Sequence, residues 1–335
     1  MFLDPVVVLV GAGASAEFGI PTGVGIYNDA KSENEDSIRT SAGFEDRFLS
    51  SFWEFLRFNN LGQEQVKFRQ LTRNLRESHA YSIDLYAYYN PSDANIAKLY
   101  TTWRILKEHY SIQTQRDRWG DSRNILARSY RWRNPTVGIG ETIRNNWMGE
   151  LVNAMLAGAK DVEDLQRNNL SIVTFNYDAV VEETVPWIVG RYERFSDAPI
   201  ELLPPVVHVH GSLSCPEPIG VNPKFYADQA AEIKFISDTL DQPSVAVTEA
   251  KRLLTEAHRV YCVGFAFEQL NLELLEGSKW GMKSVALNYD GNVKVTNAMK
   301  RIGLRSSDIW SGTDTKPMAL GMAASRGFFD ARPGQ

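Results

Sequence analysis

The sequence has little that would support disulfides, a zinc site or a broad nucleic-acid surface. Only two cysteines occur among its 335 residues, Cys215 and Cys262. They form no C-x-x-C pair, which excludes a four-cysteine structural zinc site and indicates two reduced thiols. The net charge of −5 is opposite in sign to a generally basic surface, so we expect no direct binding of nucleic acid.

Long apolar runs are also missing. No stretch of about 18 apolar residues occurs, so the sequence predicts no membrane-spanning segment. Met1-Phe2-Leu3 is followed directly by Asp4-Pro5, and this opening does not fit a secretory signal peptide. Together with the reduced cysteines, these absences favour a cytoplasmic protein. Its 43% hydrophobic and 23% charged residues are typical of a globular chain.

The most informative stretch lies at the start of the chain. Val6–Val10 is a short β-branched and aliphatic run, and Gly11-Ala12-Gly13-Ala14-Ser15 follows at once. A buried strand that leads into small residues and then a helix is how open α/β sheets build a phosphate-binding turn. Ala16 occupies the third glycine position of G-x-G-x-x-G, which tolerates alanine. A strand-to-helix turn without a ligand is the alternative.

The middle of the chain has helical patterning. Apolar and aromatic residues recur at three- and four-residue spacing between Phe48 and Tyr110, and again between Thr142 and Leu156. We predict an all-α module over residues 45–168, with the aromatic stripes forming helix core rather than a stacking platform. Residues 116–133 are rich in arginine. A solvated helix face explains them more simply than contact with an acidic partner or a nucleotide phosphate.

Strand-like segments return after residue 169, with helix-like sequences between them. They are Leu170–Phe175, Val206–Ser212, Arg259–Gly264 and Ser284–Asn288. Alternating strands and helices predict an α/β fold with a parallel sheet. Alternation in the second segment places His208 and His210 on one face. We assign residues 1–44 and 169–310 to a discontinuous α/β domain, 45–168 to the inserted module and 311–335 to a loosely packed tail.

Chemically useful residues stand where the predicted strands end. They are Gly11 to Gly13, Asn176 with Asp178, His210, Gly264 and Asn288. Because an open parallel sheet binds ligands beyond the carboxyl ends of its strands, we expect these residues to share one site. Each has a simpler explanation when taken singly. Asn176 or Asp178 could cap a helix, and His210 could be a structural residue.

As a set, these motifs resemble the sirtuin-like, NAD-consuming Rossmann proteins. Gly11-Ala12-Gly13-Ala14-Ser15, with Gly19-Ile20-Pro21, is similar to the sirtuin phosphate loop. The segment 174–178 (TFNYD) resembles the motif that faces nicotinamide and its ribose, and 210–212 (HGS) the catalytic His-Gly. Val263-Gly264-Phe265 and Leu287-Asn288 resemble the motifs around the adenosine half. The resemblance implies a Rossmann-like parallel sheet with helices on both faces and a large inserted all-α module.

The resemblance also implies roles for individual residues. Asn176 and His210 would be catalytic, with Asn176 positioning the substrate and His210 accepting a proton. NAD+ would be consumed as a substrate, and no metal is implied. The implied NAD+-binding residues are Gly11, Ala12, Gly13, Ser15, Pro21, Thr22, Thr174, Asp178, Gly264, Phe265 and Asn288.

Two departures separate the chain from the protein deacylases of this family. Phe175 stands where deacylases usually have glutamine, and the four-cysteine zinc module is absent. Both features resemble the bacterial antiphage branch, whose members hydrolyse NAD+ to nicotinamide and ADP-ribose. That branch implies self-association and a protein partner, either a HerA-type ATPase or a short argonaute. An NAD-dependent protein deacylase and a non-catalytic regulator that binds NAD+ or ADP-ribose remain the alternatives.

Overall fold

The computed structural model of the chain describes residues 1–16, 18–35, 51–117, 147–213, 223–289, 291–312 and 326–330. These residues fall into two compact units. The first unit takes its residues from Met1–Gly19, Ser122–Val209 and Pro243–Gln335, and the second from Ile20–Asp121 and His210–Gln242. Most of the arginine-rich stretch 116–133 and of the predicted tail 311–335 lies outside the described residues, as does Cys215.

A six-stranded parallel sheet forms the centre of the first unit. Neighbouring strands pair in the order β3-β2-β1-β4-β5-β6. The predicted α/β class is confirmed, and this order is that of a Rossmann-like fold. The strands are β1 (Val6–Val10), β2 (Leu170–Thr174), β3 (Val206–His208), β4 (Arg259–Val263), β5 (Ser284–Asn288) and β6 (Ile309–Ser311).

Strand β1 occupies the middle of the sheet because its sequence suits burial on both faces. All five residues of VVVLV are buried. The chain adds β2 and β3 on one side of β1 and β4 to β6 on the other, so the strand order reverses at β1. Such a reversal opens a ligand crevice beyond the carboxyl ends of the strands. Val10 is level with Thr174 and with Val263, so β2, β1 and β4 end together at this edge.

Helices flank the sheet and form the second unit. In chain order they are α1 (Ala12–Ala16), α2 (Gly23–Ser32), α3 (Phe52–Phe58), α4 (Gly62–Glu77), α5 (Ile83–Tyr89), α6 (Ala94–Asp117), α7 (Trp147–Leu156), α8 (Val180–Val189), α9 (Pro223–Glu232), α10 (Ile236–Asp241), α11 (Val245–Glu256), α12 (Gln269–Leu274) and α13 (Val293–Arg301). Helix α7, which the sequence groups with the helical module, belongs to the first unit. No helix among the described residues is long and apolar enough to cross a membrane.

Aromatic side chains form the core of the second unit. The Phe52 ring lies 4.6 Å from that of Phe68, 5.2 Å from that of Tyr100 and 5.3 Å from that of Trp103. All four side chains are buried. Edge-to-face contacts of this kind contribute about 0.5–1.5 kcal/mol each beyond the area they bury. The prediction that the aromatic stripes are helix core is therefore confirmed for these four side chains. It is wrong for Tyr81 and Tyr89, which are 52% and 69% exposed.

The predicted strand Val206–Ser212 is too long. Strand β3 ends at His208, and the pairing closes with a hydrogen bond from Val209 N to Thr174 O (2.9 Å). The chain then turns, and Gly211 takes a φ of +80°, which L side chains rarely adopt. The expectation that His208 and His210 share one strand face is wrong for this reason.

The end of the chain holds a strand and a packed segment that the sequence did not predict. Strand β6 adds three residues to the far edge of the sheet. Phe328 and Phe329 are buried, and their rings lie 5.6 Å and 5.3 Å from that of Tyr261 on β4. Residues 326–330 are therefore packed rather than loose. The remainder of the tail after Gly312 lies outside the described residues.

We expect Gly264→Ala to destabilise the first unit by about 3 kcal/mol. Gly264 has a φ of +61°, and a Cβ added there would lie 2.0 Å from Ala14 N. Both the backbone strain and the steric clash act only in the folded chain. Urea unfolding of the parent chain and of Gly264→Ala measures the difference in the free energy of unfolding. The matched control is Gly62→Ala, because a Cβ at Gly62 meets nothing within 4 Å. Equal stability of Gly264→Ala and the parent would refute the close packing described here.

Candidate active site

The glycine turn after β1 packs directly on the end of β4. Gly11 N donates to Val263 O (3.0 Å), and Gly13 N donates to Gly264 O (3.0 Å). A Cβ on Gly11 would lie 2.5 Å from Gly264 O. The close approach that these glycines allow is therefore an approach between two segments of the chain, and both of these N–H groups already have acceptors. Any phosphate bound at this turn would need other donors.

Asn176 and Asp178 meet the same turn from the end of β2. The Asn176 amide nitrogen donates to Ser15 Oγ (2.7 Å) and to Gly11 O (3.2 Å). Ser15 Oγ in turn donates to Asp178 Oδ1 (3.0 Å). Asn176 N donates to Thr174 Oγ1 (3.0 Å), which fixes the main chain where β2 ends. The structure thus brings together the predicted residues from β1 and β2, and all four of these side chains are buried.

The direction of these hydrogen bonds orients the Asn176 amide. The single hydroxyl proton of Ser15 goes to the Asp178 carboxylate, so Ser15 Oγ can only accept from Asn176. The NH2 group of Asn176 therefore faces Ser15 and Gly11. Its Oδ1 atom is buried and has no hydrogen-bond partner among the residues that the structure describes. An unsatisfied buried acceptor costs about 1–3 kcal/mol, and a ligand hydroxyl or amide could satisfy it.

Asp178 is a buried carboxyl group, and burial of its charged form lowers the stability of the folded chain. Burial raises its pKa to about 6, although the hydrogen bonds from Ser15 and from Val180 N (3.1 Å) act in the opposite direction. Its ordinary value is 3.8. Since the folded-state pKa is the higher one, the folded chain retains a proton that the unfolded chain has lost between these values. Stability therefore falls as pH rises from about 4 to about 6, and the deficit persists above that pH.

Asp178→Asn is expected to raise the free energy of unfolding at pH 8 by up to about 3 kcal/mol, and at pH 5 by about half as much. An asparagine oxygen can accept the same two hydrogen bonds without the cost of burying a charge. Urea unfolding at both pH values measures the change, with the exposed Asp197→Asn as the matched control. A gain that does not depend on pH would contradict the raised pKa.

His208 supports the main chain of Asn176 and was missed as a site residue. Its Nδ1 lies 2.9 Å from Asn176 O, and its Nε2 lies 2.5 Å from Glu182 Oε1 in the first turn of α8. A carbonyl can only accept, so His208 Nδ1 donates to Asn176 O, and the carboxyl group of Glu182 pairs with Nε2. Burial lowers the pKa of His208, but the bond to Glu182 and its charge outweigh burial and raise the pKa above the ordinary 6.5.

His210 lies in the second unit, where its ring contacts Thr239. His210 Nδ1 lies 2.9 Å from Thr239 Oγ1, and that hydroxyl oxygen lies 3.2 Å from Phe235 O. His210 O also accepts from Lys234 N (2.7 Å). An imidazole side chain can accept a proton near neutral pH.

The remaining predicted residues have local structural contacts. Asn288 donates both amide hydrogens within the first unit, to Asn292 O (3.0 Å) and Thr296 Oγ1 (2.8 Å). The Phe265 ring lies 5.1 Å from that of Phe175. Ala12 begins helix α1. Pro21 and Thr22 lie in the second unit, where Thr22 caps helix α2 by accepting from Gly25 N (3.1 Å).

Trp147 is a further residue that the sequence did not predict at this site. Its indole Nε1 donates to Ala14 O (3.2 Å), and the side chain is fully buried. Helix α7 thus secures the glycine turn. Only its apolar spacing was visible in the sequence, and that spacing gave no sign of a polar contact.

Comparison with known proteins adds no assignment. No protein-family model matches the chain, and no curated protein matches it. Among the described residues, no three His, Cys, Asp or Glu side chains gather where they could hold a metal ion. Functional inference therefore depends on the side chains at the carboxyl edge of the sheet and on the motifs they form.

Proposed function

We propose that this chain is an NAD+ glycohydrolase, which cleaves NAD+ to nicotinamide and ADP-ribose. The observation that carries the proposal is the Asn176 amide, held by Ser15 and Gly11 with its buried Oδ1 atom unpartnered. It stands at the carboxyl edge of a Rossmann-like sheet, beside the strand where the order reverses. That edge is where such sheets bind dinucleotides. The resemblance to sirtuin-like motifs supports the same choice.

The reaction requires positioning of the ribose and stabilisation of developing positive charge, and it does not require a strong acid. The bond from ribose C1′ to the cationic nicotinamide nitrogen breaks, and its electron pair leaves with nicotinamide as a neutral product. The carbon passes through an oxocarbenium-like state. Asn176 would hold the ribose through Oδ1, and the nearby Asp178 carboxylate, when ionised, would favour the developing positive charge.

Water completes the reaction. Its oxygen forms a bond to C1′, and its proton passes to His210, the base that the resemblance implies. The products are nicotinamide, ADP-ribose and one proton. The rest of the dinucleotide would be bound by the main chain around Ala12 and by the residues next to Phe265. No metal takes part in this proposal.

A free NAD+ hydrolase would be harmful to its own cell, so activity needs a trigger. We propose that the chain is the effector of a bacterial antiphage system that acts by abortive infection in the cytoplasm. A protein partner would activate it, with a HerA-type ATPase as the first candidate and a short argonaute as the second, and the chain would also self-associate. These assignments rest on the resemblance alone.

Product analysis separates hydrolysis from the two alternatives. The chain and the protein encoded beside it in its genome are incubated together with NAD+, with and without an acetyl-lysine peptide, and the products are quantified by liquid chromatography. Hydrolysis gives equal amounts of nicotinamide and ADP-ribose in both reactions. A deacylase would need the peptide and would deacetylate it. A non-catalytic regulator would bind NAD+ and release no nicotinamide. Either of these last two results would overturn the proposal.

A further inference from the structure

A groove of about 310 Å³ lies in the first unit, between helix α8 and the segment that leads into β3. Its walls are largely aliphatic and include Val185, Pro186 and Pro204. Ile200 at its edge is 64% exposed, so part of this apolar surface faces solvent. The volume is at the lower limit for ligand sites and suits one long side chain with its apolar neighbours.

The ionisable side chains that line the groove are negatively charged. Both ionisable side chains that line it, Glu182 and Glu201, are acidic. Within the described part of the chain, the Oε2 atom of Glu182 is buried and has no hydrogen-bond partner. A carboxylate oxygen in that position gains most from an N–H donor that also carries positive charge. Apolar walls beside the carboxylate groups of Glu182 and Glu201 fit a lysine or arginine side chain, whose aliphatic stem would pack on the walls.

Glu182 links this groove to the candidate active site. Its Oε1 atom lies 2.5 Å from His208 Nε2, and His208 Nδ1 lies 2.9 Å from Asn176 O. A cation beside Glu182 would compete with His208 for the charge of that carboxylate. The hydrogen bond from His208 Nδ1 to the Asn176 carbonyl would then change as well, because the same imidazole ring makes both hydrogen bonds.

We propose that this groove is the docking site for a segment of a protein partner, in which a lysine or arginine side chain is flanked by apolar side chains. Docking acts on Asn176 through Glu182 and His208. The binding step stands independently of the reaction, whereas its effect on catalysis rests on the proposed function. A protein segment fits better than a free amine, because the exposed apolar rim around Ile200 would stay uncovered by an amine.

A peptide array tests the binding step. The labelled full-length chain is applied to hexapeptides with leucine or proline around one variable position, which carries lysine, arginine, glutamine or glutamate. We expect at least tenfold stronger binding to the basic peptides. Glu182→Gln and Ile200→Ser should each weaken that binding at least fivefold, and the control Val245→Ser, at a position 87% exposed on α11, should not. Equal binding to the glutamine peptides, or full binding by Glu182→Gln, would overturn the proposal.

Two further measurements separate the remaining possibilities. If n-butylammonium displaces the best peptide at the peptide's own concentration, the ligand is a small amine and the protein partner is excluded. Side-chain ¹⁵N resonances of His208 should shift on saturation with that peptide, and unchanged resonances would refute the link to Asn176. Neither readout needs turnover. Absence of nicotinamide release in every condition would therefore overturn the proposed function and leave the docking proposal standing. Nicotinamide release combined with equal binding to all peptides would overturn the docking proposal and leave the proposed function standing.

Discussion

Replacing Asn176 by alanine is expected to lower the rate of nicotinamide release about 100- to 1,000-fold. The substitution removes the unpartnered Oδ1 atom and both donated hydrogen bonds, to Ser15 and Gly11. A loss of this size is typical when one preorganised polar group at a reacting centre is deleted. The measurement is the initial rate of nicotinamide release at saturating NAD+, compared with the parent chain.

Two variants separate lost chemistry from lost structure. Asn176→Asp keeps the shape of the side chain but removes the NH2 donor and places a second carboxylate beside Asp178, so it should be nearly as inactive as the alanine variant. Asn153→Ala changes an exposed asparagine on α7 and should retain full activity. If Asn176→Ala kept more than a tenth of the parent rate while remaining folded, Asn176 would have no catalytic role.

The second large effect is expected at His210. His210→Gln should reduce kcat about 100- to 10,000-fold, the range that general base catalysis contributes. Glutamine is similar in length and polarity to histidine but cannot take a proton from water. Because the lost interaction belongs to the transition state, kcat should fall while the affinity for ADP-ribose stays close to that of the parent. Steady-state kinetics and calorimetric titration with ADP-ribose measure the two quantities.

The control for His210 is His258→Gln, since His258 is a mostly exposed histidine and should be dispensable. Thr239 is a positioning residue, because its hydroxyl oxygen lies 2.9 Å from His210 Nδ1. Thr239→Val should lower kcat and shift its dependence on pH, and Thr239→Ser should restore both. A His210→Gln variant with unchanged kcat would remove the base from the mechanism.

Local patterns in the sequence predicted the sheet well. VVVLV followed by GAGAS indicates a buried strand and a tight turn without help from distant residues. The carboxyl ends of β1, β2 and β4 are level because parallel strands share one direction, so Asn176, Asp178 and Gly264 could be placed near the turn in advance. Strand β6 was not predicted, because three residues carry too little periodicity to be distinguished from a loop.

The contacts that tune the site could not be predicted in the same way. Glu182 is recognisable from sequence only as an acid in the first turn of a helix, a common position for it. Its role depends on the contact with His208, which lies at the end of β3. Likewise, the acceptors of Gly11 N and Gly13 N lie at the end of β4, some 250 residues later in the chain. Such partners are set by the packing of β3 and β4 on their neighbours, which strand periodicity alone does not specify.

The most direct test of the account is a time course of NAD+ consumption by the full-length chain, alone and with the protein encoded beside it in its genome. An NAD+ glycohydrolase gives nicotinamide and ADP-ribose in equal amounts, many equivalents per chain, in at least one of the two reactions. NAD+ recovered intact from both, even where it binds, would contradict the central claim.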